Sequence, residues 1–279
     1  MQKIPLVALV NDLSGFGRCS LTVAMPILSV MGLQCCPLPT AILSNHTGYE
    51  SYYFRDFTSD MRPYIAEWQK LDLRFSAVCT GFLGSAEQAD IVSAFIRDAK
   101  KQDGEDAPLI FVDPVMGDNG HAYATCDAAL CASMKKLVAH ADVITPNITE
   151  ACLLLDRDYC GEKLDEVAAL HLAKDLAELG AGRVVLTGVR SKVGTVANLG
   201  FDAAANHFYW VEEPVVQPFY NGAGDAFAAA LCGYLLSGIG MQKALEKSAF
   251  FVYLAAKATA DAGGAVADGI MFEKYLKML

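Results

Sequence analysis

Asn221-Gly222-Ala223-Gly224-Asp225 is the segment whose residue types and spacing point most directly to chemistry. Two glycines lead into Ala226-Phe227-Ala228-Ala229-Ala230, a run of small residues suited to a packed helix. Such a turn leaves the first N–H groups of a helix unpaired, aimed at whatever anion sits there. Transfer of a phosphoryl group calls for donors of this kind, because negative charge must be held while it moves. Asp225 falls in the helix's first turn, beside that anion hole, where a carboxylate can take a proton from an attacking hydroxyl. Alone, the fragment reads more simply as a glycine turn with Asp225 as an N-terminal cap.

Four other segments carry candidate groups. In Asp113-Pro114-Val115-Met116-Gly117-Asp118 a strand runs into an acidic turn, and its two carboxylates are hard oxygen ligands suited to Mg²⁺, usually through water. In Thr145-Pro146-Asn147-Ile148-Thr149-Glu150, Pro146 stops a strand and opens a helix. Asn147 and Glu150 share one face, so Glu150 can hold metal-bound water, or the pair can simply form a capping box. Leu43-Ser44-Asn45-His46-Thr47-Gly48-Tyr49 is dense in polar side chains and reads by itself as a surface loop. In Thr80-Gly81-Phe82-Leu83-Gly84-Ser85, Phe82 can stack on a flat ring or belong to the core.

Several common sites are excluded. There is no G-x-x-x-x-G-K-[ST] phosphate loop and no G-x-S-x-G elbow. Gly15-Phe16-Gly17 is followed by Ser20 where a dinucleotide fingerprint needs Gly or Ala. The five histidines and nine cysteines show no metal-ligand spacing. An odd cysteine count without Cys-x-x-Cys pairs suits buried free thiols in a reducing cytoplasm. A net charge of −10 argues against a nucleic-acid face, and no apolar run approaches the ~18 residues of a membrane helix.

The elements that must position these residues alternate. Strands are expected at Ile4–Val10, Leu33–Thr40, Phe75–Thr80, Leu109–Val112, Val143–Thr145 and Arg183–Thr187. Helices are expected at Cys19–Met31, Ser85–Lys101, Asp127–His140, Ile148–Leu155 and Asp165–Leu179, the second with Ser85 and Gln88 as a capping box. A hairpin around Gly200 follows, and then two long helices, Gly224–Ser237 and Met241–Ala262. This rhythm predicts an α/β fold, a three-layer α/β/α sandwich with a central, mostly parallel sheet and an edge hairpin. With no linker or repeat, and 53% hydrophobic residues, residues 1–279 read as a single domain. Ligands of such sheets bind beyond the carboxyl ends of the strands, where Asn11-Asp12, Thr80-Gly81, Asp113, Thr145-Pro146-Asn147 and Thr187-Gly188 stand.

In this order the five blocks resemble the ribokinase-like superfamily, and within it the pyridoxal kinases, over almost the whole chain. Asn221–Asp225 is similar to the Gly-x-Gly-Asp signature, and Ser44–Tyr49 to the substrate loop. The resemblance implies a kinase that phosphorylates the hydroxymethyl group of pyridoxal, pyridoxine or pyridoxamine from ATP. Asp225 is then the base, and the amides of Gly222, Ala223 and Gly224 form the anion hole. Asp12, Ser14, Thr47, Phe82 and Tyr123 contact the ring, while Asn147, Thr187 and Gly188 contact the nucleotide. Asp113, Asp118 and Glu150 organise Mg²⁺ and a monovalent cation, K⁺ or Na⁺. A homodimer is also implied, in the cytoplasm, with no nucleic-acid or membrane partner. Asp12 stands where pyridoxal kinases often have Ser, which is closer to the hydroxymethylpyrimidine kinases of thiamine synthesis, and Phe82 stands where Tyr is frequent. A hydroxymethylpyrimidine kinase and a non-catalytic vitamer-binding protein on the same fold are the rival expectations.

Overall fold

A computed structural model of the chain describes residues 4–101, 107–161, 163–190 and 192–279. Residue contacts divide it into two compact units, Met1–Cys79 with Val215–Leu279, and Thr80–Pro214.

The first unit begins with β1 (Leu6–Ser14), α1 (Ser20–Val30), β2 (Gln34–Leu43), β3 (Phe54–Asp56) and α2 (Thr58–Lys70). β4 (Ala77–Thr80) ends on the first residue of the second unit. The strand order is β4-β1-β2-β3, with β1 and β2 parallel and β3 antiparallel at the edge. β1 is flanked by strands on both sides, and Val7, Ala8 and Val10 are fully buried, as a near-continuous apolar run in a covered sheet should be. It continues through Asn11 and Asp12 to Ser14, four residues beyond the apolar run that marks it in the sequence. The pairing register shifts between Asn11 and Leu13, a local irregularity of the kind that re-aims side chains near functional sites.

The second unit runs α3 (Ala86–Ala99), β5 (Leu109–Val112), the two-residue strands β6 (Gly117–Asp118) and β7 (His121–Ala122), and α4 (Ala128–Val138). It continues through β8 (Val143–Ile144), α5 (Ile148–Leu154), α6 (Glu166–Ala177), β9 (Arg183–Val189), β10 (Thr195–Asp202) and β11 (His207–Pro214). β5, β8 and β9 are parallel, and β10 and β11 extend them antiparallel in the order β11-β10-β9-β8-β5. The edge hairpin is present, but its turn lies at residues 203–206. Gly200 sits inside β10 opposite Tyr209, so this glycine is a strand residue rather than the turn. At α3, Ser85 caps as expected by accepting the Gln88 N–H. The Gln88 side chain in turn accepts the N–H of Gly84 at 2.7 Å.

The chain then returns to the first unit with α7 (Ala223–Leu236), α8 (Met241–Asp261) and a final 3-10 turn, Phe272–Met278. α7 is buried from Ala226 to Tyr234, which explains its composition of Ala and Gly. A Cβ at Gly233 would lie 2.3 Å from the Met31 sulfur, so the small residue lets α7 approach the end of α1. The same two helices also come near each other at their starts, where the Ser20 backbone is close enough to Asp225 to lower its pKa.

Candidate active site

In the first unit, the polar end of β1 and the starts of α1 and α7 meet. Gly222 caps α7 with φ +73°, and a Cβ there would lie 1.8 Å from the Arg18 carbonyl oxygen. Only glycine fits that backbone and that space. A Cβ added at Gly224 would meet nothing within 4 Å among the described residues, so the face of the turn carrying the first free N–H groups is open.

Asp225 stands in this first turn, part-buried. The Ser20 amide at the start of α1 and the Asn11 side chain lie near its carboxylate and favour its charged form. Burial outweighs them and pushes its pKa up to about 6, with help from the nearby charge of Asp12. Asp12 is buried, and burial raises its pKa too, opposed by the nearby Ser20 and Ser14 side chains. Ser14 donates to Asp12 at 2.7 Å. Cys19 lies close enough to both carboxylates that burial, then Asp225, then Asp12 push its thiol up to about 12, so it stays protonated. Of the residues expected to work together, Asp12, Ser14, Asp225 and the glycine turn are brought together.

Thr47 is exposed on a loop fixed by its neighbours. His46 accepts the Gly48 N–H on Nδ1, which leaves Nε2 to donate to the Ala267 carbonyl at 2.7 Å. Tyr49 donates to Asp268 at 2.8 Å, and its ring lies 4.7 Å from that of His46 and 5.8 Å from that of Phe16. The same late segment brackets the glycine turn, since the Asn221 N–H donates to the Val266 carbonyl and the Ile270 N–H to the Asn221 carbonyl. Arg18 joins it through the Asp268 carbonyl and the Glu273 carboxylate. Asn11, Ser20, His46, Tyr49, Asn221 and Asp268 are therefore parts of the site to which sequence reasoning assigned no role. His46, Tyr49 and Asn221 lie inside blocks that residue type singles out, whereas nothing in residue type or spacing marks Ser20.

In the second unit, the predicted nucleotide and metal residues gather at the ends of β5, β8 and β9. Thr187 bridges to Asn147, its N–H donates to the Pro146 carbonyl, and Gly188 follows exposed with φ +73°. Asn147 and Glu150 form a full capping box on α5. The Asn147 amide also donates to the Gly117 carbonyl, and the Met116 N–H donates to Glu150. Glu150 is buried, and burial followed by the charge of Asp113 raises its pKa well above the carboxylate range. Asp113 accepts from Thr145 at 2.8 Å, while Asp118 is exposed and holds Asn119. Both oxygens of Glu150 thus serve backbone amides, and no group of three His, Cys, Asp or Glu among the described residues could hold a metal directly. The carboxylates fit a hydrated Mg²⁺, which keeps several of its waters, rather than a direct cage. Phe82, just after β4, is half-buried, and Tyr123 is exposed on the loop after β7. All nine cysteines are unbridged, and no helix among the described residues is long and apolar enough to cross a membrane.

The family model for phosphomethylpyrimidine kinase matches residues 28–268. The pyridoxine/pyridoxal/pyridoxamine kinase of Bordetella avium is 30% identical over 255 residues, 88% of this chain and 82% of its own. A crystal structure described as a phosphomethylpyrimidine kinase from Bacteroides thetaiotaomicron, in an orthorhombic form with pyridoxal, is 39% identical with a TM-score of 0.93. The match covers 99% of this chain and 96% of that one. Pyridoxal kinase from Lactobacillus plantarum is 27% identical with a TM-score of 0.88, over 99% and 96% of the two chains. The likeness carries the expected α/β architecture, a mostly parallel central sheet with helices on both sides. The chain belongs to the phosphomethylpyrimidine kinase family and is a ribokinase-like kinase of the pyridoxal kinase group.

Proposed function

We propose that the protein transfers the γ-phosphate of ATP to the hydroxymethyl group of a B6 vitamer: pyridoxal, pyridoxine or pyridoxamine. The observation that carries this reading is Asp225 in the first turn of α7, beside a glycine turn that is open at Gly224 and next to buried Asp12. The Bordetella relative is named for these three vitamers, and the Bacteroides crystal contains pyridoxal.

Asp225 removes the proton of the hydroxymethyl group as its oxygen attacks the γ-phosphorus in line. The new O–P bond forms as the bond from γ-phosphorus to the bridging oxygen breaks, and ADP leaves. The amides of the glycine turn hold the charge that develops on the transferring oxygens. Asp12, with Ser14 behind it, accepts from a ring N–H, an amine or the phenolic hydroxyl of the vitamer. The ring roles of Thr47, Phe82 and Tyr123 rest on family resemblance alone. Asn147, Thr187 and Gly188 are assigned to the nucleotide on the same ground, with support from their meeting at one set of strand ends. Asp113, Asp118 and Glu150 would hold Mg²⁺ through water, with K⁺ or Na⁺ nearby, and the metal would neutralise phosphate charge. A single kinase domain over residues 1–279, working as a cytoplasmic homodimer, completes the reading.

Two measurements test it. Asp113→Ala should raise the Mg²⁺ concentration for half-maximal activity by about 10-fold or more, as loss of a group orienting metal-bound water does. Unchanged metal dependence removes Asp113 from that role. The second reading, hydroxymethylpyrimidine kinase, is favoured by the matched family and by the carboxylate at Asp12. With ATP and Mg²⁺, kcat/KM for pyridoxal should exceed that for hydroxymethylpyrimidine by about 10-fold or more, because the buried polar groups of the site are left unpaired by the wrong ring. The opposite order assigns the enzyme to thiamine synthesis.

A further inference from the structure

We propose that Tyr49 and Asp268 are positioning residues for the alcohol substrate: their hydrogen bond fixes the loop Ser44–Tyr49 against the glycine turn that precedes Asp225. This inference rests on the reading of Asp225 as the base and of that loop as a contact of the substrate ring.

The Tyr49 hydroxyl donates to Asp268 Oδ1 at 2.8 Å, and both residues are half-buried. They stand 219 residues apart in the chain, so the bond is a tertiary tie and not a local turn. Partial burial, then the bond to Asp268, pushes the Tyr49 hydroxyl up to about 12, so it keeps the proton that it donates.

Asp268 works in two directions. Its side chain holds the loop, while its carbonyl oxygen accepts from the Arg18 N–H and from Arg18 Nη1, each at 3.2 Å. The carbonyl oxygen of Arg18 itself lies against Gly222, where it leaves no room for a Cβ. Asn221, one residue before Gly222, exchanges backbone bonds with Val266 and Ile270 on either side of Asp268. Whatever Asp268 holds is therefore held in register with the turn. The loop also reaches the turn directly, since a Cβ at Gly48 would lie 3.2 Å from the Asn221 amide nitrogen. All of these residues belong to the first unit.

Thr47 is exposed between two anchored neighbours, His46 on the Ala267 carbonyl and Tyr49 on Asp268. Anchors on both flanks order this residue without covering it, and a loop ordered in advance costs less to bind. Without the Tyr49 anchor the substrate itself must supply that order. Its affinity then falls, whereas Asp225 and the nucleotide residues are left as they are.

A double-mutant cycle tests the tie. Tyr49→Phe removes the hydroxyl and keeps the ring beside His46 and Phe16. Asp268→Ala removes the acceptor, and Asp268→Asn keeps one. The KM for pyridoxal should rise about 10-fold in Tyr49→Phe and in Asp268→Ala, with the double variant no worse than either. Asp268→Asn should stay within about 3-fold of wild type, because its amide oxygen still accepts. In Tyr49→Phe, kcat should change by less than about 3-fold and the KM for ATP should not move, the mark of lost substrate binding alone. An unchanged pyridoxal KM in Tyr49→Phe overturns the proposal, even with lower stability in urea. So do equal rises in both KM values, which mean general loosening, and multiplying losses in the double variant, which mean two independent roles. The wild-type enzyme run alongside distinguishes the failures. If it phosphorylates hydroxymethylpyrimidine and not pyridoxal, the same pattern is expected in the KM for that substrate. If it phosphorylates neither, the kinase reading falls and this inference with it. If it is active and Tyr49→Phe matches it, only the tie falls.

Discussion

Asp225→Asn should cut turnover by about 10²–10⁴-fold and, at the same time, make the protein more stable at pH 8. The loss follows from removing the only carboxylate in the first turn of α7, since general-base catalysis contributes on that scale. The gain follows from the raised pKa. Burial lifts Asp225 from 3.8 to about 6, so the folded state binds its proton more tightly than the unfolded chain does. Charging that carboxylate therefore costs stability, beginning as pH rises past the unfolded value and complete above the folded one. The full cost is up to about 3 kcal/mol, because each tenfold difference in proton affinity between the two states is worth about 1.4 kcal/mol. Asparagine carries no charge to bury, so its advantage should appear at pH 8 and vanish below pH ~4. Urea unfolding at the two pH values, with kcat on the same samples, checks both halves. The wild-type kcat should fall on the acid side around pH 6, where Asp225 takes up its proton. An Asp225→Asn enzyme with near-normal turnover would remove the carboxylate from the chemistry.

Gly222→Ala is expected to be nearly as damaging, for a steric reason. The new Cβ would sit 1.8 Å from the Arg18 carbonyl oxygen, on a backbone at φ +73°. The obstructing atom is backbone, not the loose end of a side chain, so the turn itself must move, at about 2–4 kcal/mol. Activity should fall by at least about 10²-fold, since displaced amides no longer hold the transferring charge. Gly224→Ala is the control. Its Cβ meets nothing, so the protein should keep its urea midpoint while losing activity to a methyl group on the open face. Equal stability losses in the two variants would contradict this account of the turn.

The parts of the fold legible in the sequence are those whose pattern is local. β5 has the bounds expected of Leu109–Val112, and α5 carries the Asn147–Glu150 capping box that its spacing announces. α2 escapes such a reading because it is polar, contains Pro63 and buries only Met61 and Ile65. β3 escapes it because its three residues are all exposed. The hairpin turn is misplaced because Gly200 is the obvious breaker, whereas the turn is made by Ala203–Asn206 with Asn206 at φ +46°. Asp12, Ser14 and Asp225 can be singled out as polar residues at apolar boundaries. Ser20 cannot, because its nearness to Asp225 leaves no trace in composition or periodicity. The sequence marks Asp113, Asp118 and Glu150 as carboxylates, but whether an oxygen is already engaged by an amide, as both oxygens of Glu150 are, depends on tertiary structure.

The hydrogen bonds from Asn221 to Val266 and from Ile270 back to Asn221 make the glycine turn the guest of a segment synthesised well after it. That segment also grips Arg18, His46 and Tyr49, which are translated early. Closing long loops costs only slightly more entropy than closing short ones, so folding tolerates the arrangement. Its consequence is all-or-none assembly: a nick or slip near Asp268 would silence the enzyme without touching any group that takes part in the reaction.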